Sequence, residues 1–225
     1  MPISAISKRA GRIGWLTAVA IVVTAGAASL SGARSPAQKI SIGTAYAALS
    51  LLGFAMALGP WTVLRGRLYP TSTGLRRDSG IATACLAIVH TIAGLQVHMG
   101  GKLARYFVPN EFARAGQASA VAFFLSNYAG LISAVVLIAL ATISNDRSIR
   151  RLGARRWKRW QRLAYAAAGL AALHGILYIG IERRVLALVT AFAAVVVAVV
   201  GVQLSGRRRF QRLRADAASV TSGEV

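Results

Sequence analysis

The chain has 225 residues, of which 56% are hydrophobic and only 15% are charged, and its formal net charge is +21. A soluble domain of this length carries more charge, and its apolar residues alternate with polar ones instead of forming long unbroken runs. The basic residues lie in short clusters between apolar runs, as in loops beside anionic lipid, so the charge does not indicate a nucleic-acid partner. A single cysteine, Cys85, excludes a disulfide framework, a zinc CxxC pair and a CxxCH haem attachment site.

Six apolar runs are long enough to cross a bilayer as helices, which takes about 20 residues each. They predict an all-α, polytopic membrane protein, with a six-helix transmembrane bundle over residues 13–205. Residues 1–12 and 206–225 then form an N-terminal segment and a basic, partly disordered C-terminal tail outside the bilayer. The six runs are residues 13–30, 42–64, 80–99, 121–143, 163–181 and 185–204.

The distribution of basic residues predicts how the bundle is oriented. Of the 27 lysines and arginines, 20 lie in the N-terminal segment, the loops at 65–77 and 147–162, and the tail, whereas seven lie in the alternate loops. Since short loops rich in Lys and Arg remain in the cytoplasm, we expect both termini to be cytoplasmic, in a bacterial inner (plasma) membrane. The first run follows three basic residues and also fits a secretory signal, but its length of 18 residues favours an uncleaved helix.

All three histidines fall in predicted spans, where an ionisable residue is a functional candidate. His90 lies ten residues, about 15 Å, beyond the start of the third run, and His174 lies eleven residues, about 16 Å, beyond the start of the fifth. Both helices run outwards, so the two imidazoles can face each other at one depth and hold a haem iron from both sides. His98, two turns beyond His90, fits a haem propionate partner, a second ligand set or an outer acceptor site. The alternative is a histidine at the lipid–water interface.

Three stretches of the chain carry a family resemblance. They are residues 75–80 followed by 90–93, residues 151–153, and residues 157–165 with His174 thirteen positions after Gln161. They resemble the ferric reductase-like transmembrane family, and the likeness covers roughly residues 45–205. That family includes ferric reductases, the membrane core of NADPH oxidases and the haem-binding membrane subunit of the methionine sulfoxide reductase system. The resemblance implies that His90 and His174 are the iron ligands of one haem b, and it adds Arg77 and Gln161 as candidate cofactor-binding residues.

The chain departs from the family at the position of a second haem. Gln161 stands where the family usually has histidine, and Arg76 stands fourteen residues before His90, where two-haem members place another ligand. A glutamine amide is a poor iron ligand beside neutral imidazole, so the inner haem is expected to be lost and the outer one kept. A quinone or a flavin could occupy the vacated space.

These residues predict a b-type haem membrane protein that passes single electrons across the membrane through one bis-histidine haem. The electrons would come from a quinol or a separate flavin reductase, since the chain has no dinucleotide-binding motif. The chain could then be a ferric reductase-like oxidoreductase or an electron-transfer subunit. The alternative is a non-redox membrane subunit, such as a transporter-like protein or an assembly factor, that kept the helices and lost the cofactor. The basic stretch at 150–162 fits lipid headgroups, and the alternative is a docking surface for an acidic donor.

Overall fold

The computed structural model describes residues 3–66, 73–97, 102, 104–108 and 118–222. Across these residues the chain forms helices and turns without a strand, and six segments are long and apolar enough to cross a membrane. The predicted all-α fold with six membrane-spanning helices is therefore confirmed. His98 lies outside the described residues.

The described helices are labelled in chain order, and α7 and α8 together make up the fifth candidate span. They are α1 (Ile3–Leu30), α2 (Pro36–Leu64), α3 (Thr73–Val97), α4 (Ala104–Phe107), α5 (Ala118–Thr142), α6 (Asp146–Leu152), α7 (Ala154–Gln161), α8 (Leu163–Glu182) and α9 (Leu186–Ser222).

Local capping signals set several helix ends. Ser35 precedes α2, and its hydroxyl accepts a hydrogen bond from the Gln38 N–H at 3.2 Å. Pro36 then occupies the first helical position, where its fixed φ suits a helix and its missing N–H costs nothing. Asn145 caps α6 in the same way, accepting from the Ser148 N–H at 2.8 Å. The first cap stands at the start of the second candidate span, and the second at the start of the short helix that follows the fourth.

Helix α9 is longer than the sequence predicts. The last apolar run ends at residue 204, but the helix continues through the basic segment as far as Ser222. A helix already formed in the membrane adds further residues without a new nucleation cost, and Arg, Gln, Leu and Ala are all good helix formers. The residues between 206 and 222, expected to form a partly disordered tail, are therefore helical.

The helices pack in two neighbouring pairs, α2 with α3 and α5 with α8. Helix α3 also packs against α5, while α1 and α9 both pack against α2. We call the end of the bundle at which α3 and α8 begin the basic end, because the large arginine clusters lie there, and the other the opposite end. The half of the bundle nearer the basic end is filled by an apolar core cluster. Its buried members are Leu52, Met56, Ala84, Ala87, Leu137 and Ala167.

An ion pair ties α1 to α3 near the basic end. The side chain of Asp78 is only 3% exposed and accepts a hydrogen bond from Arg12 Nε at 3.0 Å, with Arg9 Nε at 3.6 Å. A carboxylate buried at the edge of a membrane bundle needs such a partner, because its desolvation is otherwise uncompensated. Helix α1 is therefore held to the bundle by charge as well as by packing.

Candidate functional site

A large cavity lies between α3 and α8 and is also lined by α2, α4, α5 and α9. It contains roughly 1400 Å³ of empty space, part of which is open to the outside. Its walls are mostly apolar, with a few polar groups, as is usual for cofactor and ligand sites.

His90 and His174 face each other across this cavity. Their ring centroids are 5.8 Å apart and the ring planes are inclined at 78°. Two imidazoles that bind one metal ion from opposite sides, at about 2 Å each, place their centroids roughly 6 Å apart. The structure thus brings the two histidines together at one depth, as the helical rise predicts, while their role as iron ligands stays a prediction.

The hydrogen bonds of both rings define the same tautomer. His90 Nδ1 lies 2.8 Å from the backbone oxygen of Ser41, and His174 Nδ1 lies 2.8 Å from that of Ser126. A carbonyl oxygen can only accept, so each Nδ1 carries the proton and donates it. In the neutral form of each ring, the lone pair then lies on Nε2, which is the atom a metal would bind.

The serine hydroxyls support the same arrangement. Ser41 Oγ lies 3.3 Å from His90 Nδ1, and Ser126 Oγ lies 3.2 Å from His174 Nδ1. Ser126 Oγ also donates to the His174 backbone oxygen at 3.0 Å, which ties α5 to α8. Such contacts around a ligand fix the orientation of its ring before a metal arrives.

Gly130 forms the wall behind the His174 ring. A Cβ atom at this position would lie 2.6 Å from His174 Nδ1 and 2.8 Å from Cε1, much closer than any real contact. The α5 backbone therefore packs directly against the imidazole. Ser41, Ser126 and Gly130 were not singled out from the sequence. The one available signal was the spacing of Ser126 and Gly130, which are one helical turn apart in the fourth apolar run.

Polar groups concentrate towards the opposite end of the cavity. The Tyr178 hydroxyl donates to Asn127 Oδ1 at 2.8 Å, and Asn127 Nδ2 donates to the Tyr106 backbone oxygen at 3.2 Å. The Tyr178 ring also packs on His174, with centroids 4.9 Å apart. Beyond Tyr178, the side chains of Glu182 and Arg184 line the cavity as an ion pair. In the sequence, Arg184 is one of the seven basic residues of the alternate loops, and nothing there singles it out.

The other predicted site residues lie elsewhere. Gln161 Nε2 donates to Ser144 Oγ at 3.3 Å, and Arg77 Nη1 donates to Asp146 Oδ1 at 2.5 Å. Neither Gln161 nor Arg77 is among the residues that line the cavity. The structure therefore does not bring these two residues to the histidine pair.

The apolar core cluster lies between the histidine pair and the positions of Arg76 and Gln161, where two-haem family members would bind a second haem. Met56 and Leu137 belong to the apolar core cluster, nearer the basic end than His90 and His174. The Arg76 guanidinium lies against Gly59, where an added Cβ would be 3.4 Å from its Nη1. Trp160 and Tyr165, which flank Gln161 in the sequence, are 53% and 48% exposed and do not line the described cavity.

The donor atoms at the site suit a haem better than a bare metal ion. Within the described part of the chain, no group of three or more His, Cys, Asp or Glu side chains could hold an ion. Two opposed imidazoles supply only two ligands, which is what an iron already held in a porphyrin requires. The apolar walls and the small residues around the rings, including Ala87 and Gly94, leave room for a flat macrocycle.

Comparison with protein families matches residues 44–172 to the ferric reductase like transmembrane component. The match covers more than half of the chain and runs from α2 into α8, the helices that surround the cavity. It includes His90, while His174 lies two positions beyond its end. Comparisons with curated proteins and with solved structures gave no match.

Proposed function

Because the chain belongs to the ferric reductase-like transmembrane family, we propose that it carries electrons in the membrane through one haem b held by His90 and His174. The observation that carries this proposal is the pair of facing imidazoles, with ring centroids 5.8 Å apart, that line a mostly apolar cavity. A haem bound there would supply a one-electron iron couple.

The residues around the imidazoles prepare them for this role. The backbone oxygens of Ser41 and Ser126 hold the protons on Nδ1, so each Nε2 is free to bind metal without a change of tautomer. With one histidine on each side, an iron has no open position for oxygen. The arrangement therefore favours electron transfer over oxygen binding.

A single haem is supported by the packing near the basic end. The positions that would bind a second haem hold Gln161, bonded to Ser144, and Arg76, packed on Gly59. The apolar core cluster lies between these positions and the histidine pair. Electrons from the basic end would cross this packed layer, and the thirteen residues from Gln161 to His174 span about 20 Å of helix.

The donor in this proposal is a quinol or a separate flavin reductase, and the chain acts as a ferric reductase-like oxidoreductase or as an electron-transfer subunit. We place the basic end in the cytoplasm of a bacterial cell, which the asymmetry of 20 basic residues against seven supports. Helix α7 fits this orientation, because Trp160 is 53% exposed among basic side chains, as in a helix at the headgroup layer.

The test is haem content and spectrum of the purified full-length protein. We expect one haem per wild-type chain, with the reduced-minus-oxidised spectrum of a low-spin bis-imidazole haem. His90→Ala and His174→Ala should each lose that spectrum. Ile176→Ala is a matched control, because this side chain lies on α8 near His174 but is 56% exposed. A wild-type protein without haem would refute the proposal and favour the non-redox alternative.

A further inference from the structure

A charged pair lies at the opposite end of the histidine cavity. The Arg184 and Glu182 side chains form a salt bridge, and they are only 16% and 12% exposed. Both side chains line the cavity. Long charged side chains at a helix end normally extend into water. When such a pair is buried instead, both groups lose their hydration, and the attraction between them compensates for only part of that desolvation cost. This placement therefore calls for a functional explanation.

The backbone before Arg184 is in an unusual conformation. Helix α8 ends at Glu182, and Arg183 follows with a φ of 46°, in the left-handed region. This position is usually glycine, because a left-handed conformation costs other residues roughly 1–2 kcal/mol. The Arg184 N–H then lies 3.5 Å from the Ile179 backbone oxygen, so the chain turns tightly around the end of α8. The turn leaves Arg183 exposed and places the neighbouring Arg184 at the cavity.

The guanidinium of Arg184 can bind more than its present partner. The planar guanidinium carries five N–H donors, so a single carboxylate leaves some of them available for a second acceptor. Its shape and charge both match those of a carboxylate. The nearby hydroxyls are already engaged, that of Tyr46 with the Leu188 backbone oxygen at 2.8 Å and that of Tyr178 with Asn127. The chemistry presented at this end of the cavity is therefore that of a carboxylate receptor.

We propose that Arg184 binds a carboxylate of the molecule that fills the cavity, and that in the haem-loaded protein this group is a haem propionate. The inference rests on the proposed function. A haem is apolar over most of its faces and bears its two carboxylates on one edge, which corresponds to an apolar cavity with a cation at one end. His174 and Glu182 are eight residues apart on α8, or about 12 Å, so the imidazole and the cation lie at separate points along the cavity. A free carboxylate, such as citrate bound to ferric iron, offers the same chemistry from another source.

The test compares haem with its dimethyl ester, in which both carboxylates are blocked. The full-length protein, produced without haem, is titrated with each compound, and the low-spin absorbance gives the two dissociation constants. We expect the variant E182Q/R184Q to bind haem about 10 to 100-fold more weakly, the range for loss of a hydrogen bond between charged groups. Its affinity for the ester should equal that of the wild type. R183Q is the matched control, because it removes an adjacent but exposed arginine, and it should bind both compounds as the wild type does.

A second arm separates the two possible sources of the carboxylate. Citrate binding to the same proteins is measured by calorimetry. Weaker citrate binding in E182Q/R184Q, with unchanged haem affinity, would support the carboxylate site but assign it to a free anion. The proposal would be overturned if E182Q/R184Q lost affinity for haem and for the ester to the same degree. It would also be overturned if this variant lost affinity for neither haem nor citrate. If neither haem nor ester gives a bis-imidazole spectrum with any variant, the proposed function has failed, and citrate binding to the haem-free chain alone decides the role of Arg184.

Discussion

Replacing Gly130 with alanine tests whether the backbone of α5 holds the His174 ring in place. The added Cβ would lie 2.6 Å from His174 Nδ1, and ordinary contact begins at 3.4 Å, so the two must separate by 0.8 Å. The ring cannot retreat freely, because its Nδ1 is bonded to the Ser126 backbone oxygen at 2.8 Å on the same helix as Gly130. A ligand site tolerates displacements of only about 0.5 Å, so this movement should disturb metal binding.

The size of the effect follows from the role of Gly130 next to the ligand. Changes in the groups that orient a metal ligand typically reduce affinity by about 10 to 100-fold, which is roughly 1.4 to 2.7 kcal/mol. We expect a loss of haem affinity in this range for Gly130→Ala. Alanine also favours a helix over glycine by up to about 1 kcal/mol, so the folded chain itself should not be weakened to the same degree. Haem binding and thermal stability should therefore change independently.

The assay measures haem per chain, the reduced-minus-oxidised spectrum and the melting temperature of the haem-free protein in detergent. Gly169→Ala is the matched control, because a Cβ on this α8 glycine meets nothing within 4 Å. The control should keep the wild-type haem content and spectrum. If Gly130→Ala also keeps both, the His174 ring is not fixed by α5 and the reasoning about this wall is refuted.

Three further predictions concern the helix contacts. The hydrogen bond from Arg77 lowers the pKa of Asp146 below its ordinary value of 3.8. The ionised carboxylate therefore stabilises the fold above pH 3.8, and this contribution is lost as the pH falls through the lowered pKa. Asp146→Asn should thus lower the melting temperature at pH 7 but not well below pH 3.8, and an equal effect at both would contradict this. Arg12→Ala should lower the melting temperature more than Asp78→Asn, because it leaves a buried carboxylate without its nearest partner, and the reverse order would disprove the argument. Gln161→His should still bind one haem per chain, because Arg76 stands where the second iron ligand would be, and two haems per chain would contradict this.

The spans could be predicted from the sequence because hydropathy is a local property. A run of about 20 apolar residues crosses a bilayer whatever its neighbours are, so all six helices were recognisable before their packing was known. The equal depth of His90 and His174 followed from the fixed rise of a helix, since each lies a similar number of residues from the start of its run. The end of α9 was misplaced, because hydropathy marks the edge of the bilayer and not the last helical residue.

The contacts of the histidines could not be predicted in the same way. A membrane helix is apolar on most faces, so its sequence gives little indication of its rotation about its own axis. The pairing of His174 with Ser126 and Gly130, and the turn that brings Arg184 to the cavity, depend on that rotation and on which helices become neighbours. The contacts of Arg77 with Asp146 and of Gln161 with Ser144 depend equally on which helices become neighbours, and the family resemblance gave no indication of them.

The two Ser–His contacts suggest an approximate twofold symmetry within the bundle. Ser41 and His90 are 49 positions apart on α2 and α3, and Ser126 and His174 are 48 positions apart on α5 and α8, with the same Nδ1-to-carbonyl distance of 2.8 Å. No internal repeat is evident in the sequence, yet each half presents one imidazole to the cavity from the same kind of support. If the proposed haem is bound, these two imidazoles would supply its iron with ligands of matched basicity. Two such equivalent ligands would favour a small rearrangement on electron transfer, and therefore fast electron exchange.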